Sequence, residues 1–210
     1  MPETGALFKE PVSVLPGLFL LPKFASSEAL QPVLSAVCNA SPVRQMLTRR
    51  GQTIQVAMTN CGQAGWVSDT SGYRYTAIDP LTNHAWPAMP RAFENLAQQA
   101  AAEAGFSNFE PDACLINRYR PGVQMGAHQD RDEQDFTQPI VSVSLGIPAR
   151  FFVLGPERRG TSTPIDLSDG DVIVFGGPAR LFYHGVRKLK PNQDRIWGPY
   201  RWNLTFRKAL

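Results

Sequence analysis

The sequence predicts a mostly β protein with flanking helices, and three observations lead to that prediction. The chain of 210 residues contains 17 glycines and 18 prolines, which interrupt it too often for a protein built of long helices. Its C-terminal half consists of short apolar runs separated by turn signals, a pattern typical of an antiparallel sandwich, jelly roll or barrel. Apolar residues make up 43% of the chain and charged residues 19%, so a buried core is expected and disorder is excluded.

Two helices are predicted in the first half of the chain. Residues 26–40 carry apolar side chains at helical spacing, although Pro32 interrupts them, so that this helix either begins near Pro32 or is kinked there. Residues 91–104 form a clearer amphipathic pattern, which Pro90 precedes and Gly105 follows. Each of the two segments is long enough to cover one face of a sheet.

Short strands are predicted for most of the remaining sequence. The segment 43–89 is divided into short strands and loops. From residue 112 onward, the predicted strands are 113–119, 140–145, 150–154, 163–167, 171–175, 180–184 and 201–206. The chain therefore divides into an N-terminal extension, residues 1–90, and a helix with a β-core, residues 91–210, which together form one compact unit.

Composition also limits the classes of partner and the compartment. The formal net charge of +3 tolerates an anionic partner such as nucleic acid without requiring one. The three cysteines are far apart in sequence and provide no disulfide framework. The apolar run 15–21 is broken by Pro16 and Gly17 and is too short for a membrane span or a signal peptide. We therefore expect a soluble, cytoplasmic protein that does not enter a membrane.

Three side chains could together bind a metal ion. His128 and Asp130 are two residues apart, so on an extended segment they point to the same side. His184 comes at the end of the predicted strand 180–184. Two imidazoles and one carboxylate on one face of a metal leave open positions, as ferrous iron requires when it also binds a cosubstrate and oxygen. The alternative is that His184 is an ordinary core residue and the His-x-Asp pair arises by chance.

The last predicted strand alternates strictly between apolar and polar side chains. Its polar face consists of Arg201, Asn203, Thr205 and Arg207. This face either contacts water or lines the interior of a barrel, where it would bind a dianion. The two arginine backbones lie roughly 20 Å apart, at about 3.3 Å per residue. If each side chain reaches inward by ~7 Å, a gap of ~6 Å remains, about the length of a small dicarboxylate that guanidinium groups bind through both oxygens.

A second predicted strand, 113–119, has a similar polar end. Asn117 and Tyr119 share a face with Leu115. The amide and the phenol could therefore contribute to the same pocket. Alternatively, they mark only the polar end of the strand.

Eleven stretches in chain order match one known family, and the resemblance extends from about residue 41 to residue 207. They are residues 57–62, 65–66, 72–75, 78–80, 86–90, 111–119, 128–130, 141–146, 176–177, 180–185 and 201–207. Through them the chain resembles the AlkB family of iron- and 2-oxoglutarate-dependent dioxygenases, and within that family the bacterial DNA-alkylation repair demethylases. The resemblance implies a double-stranded β-helix (jelly roll) core, residues 91–210, under an N-terminal nucleotide-recognition lid within residues 1–90.

The resemblance also implies a role for each candidate site residue. The implied catalytic iron ligands are His128, Asp130 and His184. The implied 2-oxoglutarate ligands are Asn117, Tyr119, Arg201, Asn203 and Arg207. The implied contacts to the substrate nucleotide are Trp66, Tyr73, Arg74, Tyr75, Asp132 and Arg158. The residues themselves leave the acidic run 130–135 open to two interpretations: it is a solvated loop, or its Asp132 accepts a hydrogen bond from the exocyclic amine of a methylated base.

The activity implied by the resemblance is oxidative N-demethylation of bases of the 1-methyladenine and 3-methylcytosine type. It uses Fe(II), O2 and 2-oxoglutarate and releases formaldehyde, succinate and CO2. We expect a monomer that acts on alkylated single- or double-stranded DNA, with RNA as a further candidate substrate. Two alternatives remain: a 2-oxoglutarate oxygenase that acts on a protein or a small molecule, and a non-catalytic nucleic-acid-binding module.

Overall fold

The computed structural model describes residues 10–210, which form antiparallel β-sheets and two α-helices. The strands are β1 (Val12–Leu15), β2 (Leu18–Leu21), β3 (Arg44–Leu47), β4 (Thr53–Gly62), β5 (Gly65–Asp69), β6 (Gly72–Thr76), β7 (Ala113–Tyr119), β8 (Met125–His128), β9 (Ile140–Gly146), β10 (Ala149–Gly155), β11 (Thr163–Leu167), β12 (Val172–Phe175), β13 (Tyr183–Val186) and β14 (Arg201–Arg207). The helices are α1 (Ser27–Ala40) and α2 (Arg91–Glu103). Within the described range, no helix is long and apolar enough to cross a membrane.

The strands form two facing sheets and a separate hairpin. The major sheet has eight strands in the order β1-β2-β12-β9-β14-β7-β4-β3, and the minor sheet has four in the order β11-β10-β13-β8. Strands β5 and β6 pair only with each other within residues 10–210. Every pairing is antiparallel, which confirms the predicted mostly β fold class with its flanking helices.

The major sheet is covered on both faces. The two helices pack against its outer face, where the rings of Phe93 in α2 and Phe206 in β14 meet edge to face with centroids 5.9 Å apart. Its inner face packs against the minor sheet through Phe175 and Phe151. Burial on both faces explains why β12 (VIVF) is a continuous apolar run instead of an alternating one. Truncating Phe206 to Ala would cost about 3–5 kcal/mol of unfolding free energy.

Strand β14 alternates as the sequence predicts, because its two faces meet different neighbours. Leu204 and Phe206 lie in the core beneath the helices. The four polar side chains, Arg201, Asn203, Thr205 and Arg207, line the space between the two sheets. The strand therefore carries four polar groups into the interior of the sandwich.

Both helices agree closely with the predicted segments. The Ser26 hydroxyl caps α1 by accepting a hydrogen bond from the Ala29 amide at 3.3 Å. This helix runs through Pro32 to Ala40, so the alternative in which it begins near the proline is wrong. Helix α2 follows Pro90 and gives way to Gly105, whose φ of +86° suits a residue without a side chain.

The predicted strand 180–184 is wrong in position. A 3-10 turn covers Gly177–Ala179 and continues past it, because the Phe182 amide donates to the Ala179 carbonyl at 3.0 Å. The strand β13 begins only at Tyr183 and runs to Val186, so His184 lies within the strand and not at its end. The apolar run indicated extended structure, but the Gly-Pro turn before it uses the first residues of that run.

The first 90 residues contribute to the major sheet as well as to the hairpin. Strand β2 pairs with β12, and β4 pairs with β7. Half of the strands in the major sheet therefore come from this part of the chain. The boundary at residue 90 stays a prediction, and the sheet continues across it.

Candidate active site

A cavity of about 760 Å³ lies between the two sheets and opens beneath the β5–β6 hairpin. All but one of the site residues predicted from the sequence line it. The exception is Arg74, which lies on the other face of the hairpin and pairs with Asp69 at 2.8 Å. The substrate contacts that the resemblance implies on β6 are therefore split, with Tyr73 and Tyr75 at the cavity and Arg74 outside it.

The three candidate metal ligands meet at one end of the cavity. His128 ends β8 and lies directly opposite His184 in β13, and Asp130 follows two residues after His128. Their ligand atoms all lie within 4.8 Å of one another. The Asp130 carboxylate is 3.6 Å from Nε2 of His128 and 3.9 Å from Nε2 of His184. A single ion can therefore be bound by all three.

Hydrogen bonds orient both imidazoles toward that point. Nδ1 of His128 lies 2.9 Å from the Gly126 carbonyl, and Nδ1 of His184 lies 2.9 Å from the Phe182 carbonyl. Because a carbonyl can only accept, each Nδ1 carries the proton and donates it. Both Nε2 lone pairs are therefore directed at the common point, as metal ligands require.

The electrostatic environment keeps His184 and Asp130 in the protonation states that bind a metal ion. Burial, assisted by the nearby His128, lowers the pKa of His184 from 6.5 to about 4, so its imidazole is neutral at physiological pH. Burial alone would raise the pKa of Asp130. Arg207 and the two histidines outweigh it and hold that pKa well below the usual range, so Asp130 is a carboxylate. The neutral imidazole of His184 and the carboxylate of Asp130, together with the imidazole of His128, form the donor set that fits ferrous iron with open positions.

Arg201 is a buried cation without a carboxylate partner in the described part of the chain. Its side chain is 1% exposed, and Nη2 donates to the Ser144 hydroxyl at 3.0 Å. Neither Nε nor Nη1 has a hydrogen-bond partner. Its guanidinium lies 5.0 Å from the centre of the Tyr119 ring, and burial lowers its pKa. Buried guanidinium donors left unpaired are costly, so this group fits an anionic ligand such as a carboxylate of 2-oxoglutarate.

Arg207, at the other end of the same strand, is paired within the protein. Its Nη2 donates to the Asp130 carboxylate at 2.7 Å. Its Nε lies 3.2 Å from Oε1 of Glu133, although without hydrogen-bond geometry. Burial opposes the charge of Arg207, but Asp130, Tyr75 and Glu133 outweigh it and raise the pKa. The two arginines thus differ: one contacts a candidate iron ligand, and the other has free donors.

The amide side chains between the arginines also differ. Nδ2 of Asn203 donates to the Ser142 hydroxyl at 2.9 Å and to the Val143 carbonyl at 3.0 Å, which fixes this side chain. Nδ2 of Asn117 donates to Oδ1 of Asn203 at 3.4 Å, and Oδ1 of Asn117 has no partner in the described residues. Asn117 is therefore the amide with capacity for a further hydrogen bond.

The hairpin places an aromatic pair at the mouth of the cavity. The rings of Trp66 and Tyr73 stack with centroids 5.6 Å apart and planes 18° apart. The indole Nε1–H of Trp66 donates to the Asp132 carboxylate at 2.8 Å. Arg158 is exposed and lines the same cavity. A planar ligand that enters here would meet a flat aromatic face and a carboxylate together.

Two important residues, Glu133 and Arg180, were not predicted from the sequence. Glu133 belongs to the acidic run 130–135, for which a solvated loop was one of two interpretations. Its side chain, however, is only 2% exposed. It accepts hydrogen bonds from the hydroxyl of Tyr75 at 2.7 Å and from Nη2 of Arg180 at 3.1 Å. Arg180 also donates to the backbone carbonyl of Asp130 at 2.8 Å and so fixes the loop that carries this ligand. No sequence signal separates a buried Glu133 from its solvated neighbours.

Comparisons with known proteins agree with this geometry. The family model of the 2OG-Fe(II) oxygenase superfamily matches residues 17–207. The alpha-ketoglutarate-dependent dioxygenase AlkB of Salmonella typhimurium is 48% identical over 206 residues, which cover 97% of this chain and 94% of that protein. The human nucleic acid dioxygenase ALKBH1 is 32% identical over 129 residues, which cover 61% of this chain and 33% of that protein. The solved structure of OsALKBH1 matches with a TM-score of 0.82 and 27% identity over 94% of this chain and 99% of that one, which confirms the predicted jelly roll.

Proposed function

This chain belongs to the AlkB family within the 2OG-Fe(II) oxygenase superfamily, and on that premise we propose that it demethylates alkylated nucleobases oxidatively. It is an Fe(II)- and 2-oxoglutarate-dependent dioxygenase. The proposed substrates are bases of the 1-methyladenine and 3-methylcytosine type in DNA, with RNA as a further substrate. One observation carries the proposal: the candidate iron ligands, the unpaired Arg201 and the Trp66–Tyr73 stack line one cavity.

The metal ligands proposed are His128, Asp130 and His184. Fe(II) and 2-oxoglutarate, when bound, supply the oxygen-activating chemistry that oxidises the methyl group, so that the base is restored with release of formaldehyde, succinate and CO2. The protein contributes the positions of these groups. Arg180 fixes the backbone at Asp130, and carbonyl acceptors fix both imidazoles.

The two arginines are proposed to bind different carboxylates of 2-oxoglutarate. Arg207 contacts the metal ligand Asp130, which favours it as partner of the carboxylate next to the metal. Arg201 has free donors beside the Tyr119 ring and no carboxylate partner in residues 10–210, which favours it as partner of the distal carboxylate. Asn117, with its unpaired oxygen, and Asn203 lie between them on the facing strands.

The mouth of the cavity is proposed to bind the methylated base. A ring-nitrogen methyl group is buried by base pairing, so the base must be unpaired or extruded before it reaches the metal. Trp66 provides a stacking face, since stacking on an aromatic side chain binds bases without regard to sequence. Asp132 would accept a hydrogen bond from the exocyclic amine, in addition to the one that its Oδ2 accepts from the Trp66 indole. Tyr75 and Arg158 line the same entrance.

An assay for formaldehyde tests the proposal directly. The iron-loaded protein is incubated with ascorbate, 2-oxoglutarate and an oligonucleotide that carries 1-methyladenine or 3-methylcytosine. We expect one formaldehyde for each base demethylated, no formaldehyde from the unmethylated oligonucleotide, and no turnover by the His128→Ala variant. A folded, iron-loaded protein that consumes 2-oxoglutarate with a peptide or metabolite, but leaves both methylated bases intact, would contradict it.

Partners and location follow as finer proposals. We propose that the protein acts on single- or double-stranded alkylated DNA as a monomer in the cytoplasm. The names of the relatives support a nucleic-acid substrate. Three free thiols, Cys38, Cys61 and Cys114, are compatible with a reducing compartment.

A further inference from the structure

A basic surface lies next to the active-site cavity and has no role in the proposed chemistry. It consists of Arg120 and Lys188, which line one cleft, and of Arg187, the chain neighbour of Lys188, all of them exposed. Arg120 directly follows Tyr119, which lines the cavity, and the nearby strand β8 begins with another lining residue, Met125. The surface therefore begins where the cavity wall ends.

Hydrogen bonds hold together the two backbone segments beneath this surface. Arg120 opens a tight turn in which the Val123 amide donates to the Arg120 carbonyl at 3.2 Å and Gly122 has a φ of +85°. Two hydrogen bonds join this turn to the segment after β13. The Leu189 amide donates to the Val123 carbonyl at 2.9 Å, and the Gly122 amide donates to the Leu189 carbonyl at 2.9 Å. Leu189 is buried, so Lys188 beside it is held at the surface next to the turn.

A shallow cleft joins the two segments. Its volume is about 320 Å³, and Arg120 and Lys188 both line it, together with the amide side chains of Gln55 and Gln124. No carboxylate lines it. Cations and amide donors around an open cleft, without acidic groups, are suited to bind phosphate oxygens.

The charge of this surface is not neutralised by the protein. Residues 113–129 and 177–193, the segments that form it, contain no aspartate or glutamate. Arg120, Arg187 and Lys188 form no ion pair within residues 10–210. Arg187 instead places its guanidinium carbon 4.1 Å from the centre of the Phe152 ring, and its Nη2 donates to the Ser162 hydroxyl at 3.4 Å. The positive charge of Arg187 is thus held at the surface and remains available to bind an anion.

The loop that follows Asp130, on the other side of the mouth, carries charges of both signs. Asp132, which contacts Trp66, and Arg131 line the cavity, and Asp135 follows on the same loop. Asp132 attracts a cationic methylated base and not a phosphate. A strand whose damaged base is in the cavity is therefore drawn at its backbone toward the basic surface.

We propose that Arg120, Arg187 and Lys188 bind backbone phosphates of the substrate strand beside the damaged nucleotide. This inference rests on the proposed nucleic-acid substrate and adds the path of the strand outside the cavity. The contacts are electrostatic and independent of sequence, so they provide affinity and not base recognition.

Binding as a function of salt concentration tests the proposal. Anisotropy of a labelled, unmethylated single-stranded oligonucleotide is measured between about 50 and about 300 mM salt for the wild type and for the double variant Arg120→Gln/Lys188→Gln. Losing two phosphate contacts should reduce the log–log salt slope by about 1.4, at about 0.7 for each contact on single strands. The affinity gap between the two proteins should then narrow about tenfold over this range.

Three controls make the result specific. Arg91→Gln removes an exposed charge at the start of α2, on the outer face of the major sheet, and should leave the slope unchanged. The charge-conserving double variant Arg120→Lys/Lys188→Arg should retain the wild-type slope. Turnover of the methylated nucleoside, which carries no phosphate, should be the same for the wild type and the Gln variant.

The outcomes separate this inference from the proposed function. A wild-type slope in the Gln variant, or an equal loss of slope in Arg91→Gln, would overturn the role of the basic surface while demethylation of the methylated oligonucleotide still supports the enzyme. Failure of the wild type to demethylate that oligonucleotide, with the salt-slope difference intact, would instead contradict the demethylase and leave a phosphate-binding surface.

Discussion

The strand that carries Arg201 and the hairpin that carries Trp66 line the same cavity, but they are held in place differently. Strand β14 is paired on both sides, with β7 and with β9, in the middle of the eight-stranded sheet. Strands β5 and β6 pair only with each other within the described range, and isolated two-stranded hairpins have little stability of their own. The cosubstrate wall is therefore fixed by the core, and the substrate wall depends on a few side-chain contacts.

The two walls also differ in how their polar groups are satisfied before any ligand binds. Arg201 is 1% exposed and retains two donor atoms without partners. Trp66 and Asp132, at the open mouth, are already bonded to each other. A ligand that reaches Arg201 satisfies a buried charge, whereas a base that reaches Asp132 meets an exposed carboxylate that already accepts one hydrogen bond. The expected consequence is a cosubstrate site that is selective and a substrate site that adapts.

The largest effect is expected from Arg201→Met. It removes the guanidinium and should lower 2-oxoglutarate-dependent turnover at least about hundredfold, since about 3 kcal/mol of charge-assisted binding is lost. Without 2-oxoglutarate, the melting temperature should not fall, because a buried cation without a carboxylate partner is replaced by an apolar side chain. Succinate release measures the turnover, and thermal shift with and without the cosubstrate measures stability and cosubstrate binding.

The matched control is Arg150→Met, which removes an exposed arginine of β10 that pairs with Asp166. It should leave turnover and the cosubstrate-induced thermal shift unchanged. A large fall in the melting temperature of Arg201→Met without cosubstrate would show that Arg201 is a structural residue instead.

Acid should destabilise the metal-free protein through the buried candidate metal ligand His184. The pKa of His184 is about 4 in the folded protein and 6.5 in the unfolded chain. Between these values the unfolded chain binds a proton that the folded protein does not, so the free energy of unfolding falls as the pH falls through this window. The full loss is up to about 3 kcal/mol. Urea denaturation of the metal-free protein at steps between pH 7 and pH 4 measures it.

Two histidine variants sharpen this pH prediction. His184→Gln should remove most of the pH dependence in this window, whereas His84→Gln, which changes an exposed loop histidine, should preserve it. Equal pH dependence in the wild type and in His184→Gln would contradict the assignment.

Changes at Trp66 should affect substrate binding at the substrate wall and leave the cosubstrate wall unchanged. Trp66→Ala removes the stacking face and should raise the KM for a methylated oligonucleotide about tenfold to a hundredfold, at about 1–3 kcal/mol for each stacked base. Trp66→Phe retains an aromatic face but loses the N–H that binds Asp132, and its KM should rise less than about tenfold. The decay of 2-oxoglutarate without substrate should be unaffected in both variants.

Steady-state kinetics of demethylation and of uncoupled 2-oxoglutarate decay show whether Trp66 serves the substrate site or the cosubstrate site. If Trp66→Ala reduces both rates equally, the hairpin supports the cosubstrate site, and a protein or small-molecule substrate becomes the better explanation.

The smallest effect is expected at Arg74, although the family resemblance assigns it a substrate contact. Its guanidinium pairs with Asp69 on the face of the hairpin away from the cavity. Arg74→Gln should therefore change kcat/KM for the methylated oligonucleotide less than about twofold. A tenfold loss would show that the hairpin rearranges to bring Arg74 to the substrate.

Much of the site could be predicted from the sequence because its chemistry is local. The spacing of His128 and Asp130 on an extended segment places both on one side, and alternation in β14 places its two arginines on one face. Those rules depend only on the geometry of a strand. They fail for the start of β13, where the turn at Gly177–Ala179 extends into an apolar run.

Pairing between distant parts of the chain is different, and the sequence alone does not specify it. The sequence by itself determined which side chains can bind iron and a dicarboxylate, and in which order along the strands they appear. Only the tertiary structure decided that Arg207 and Glu133 are paired, that Arg201 is left with free donors, and that Arg74 lies outside the cavity. The physical reason is that charge pairing and burial depend on the approach of segments far apart in the chain, which strand periodicity does not encode.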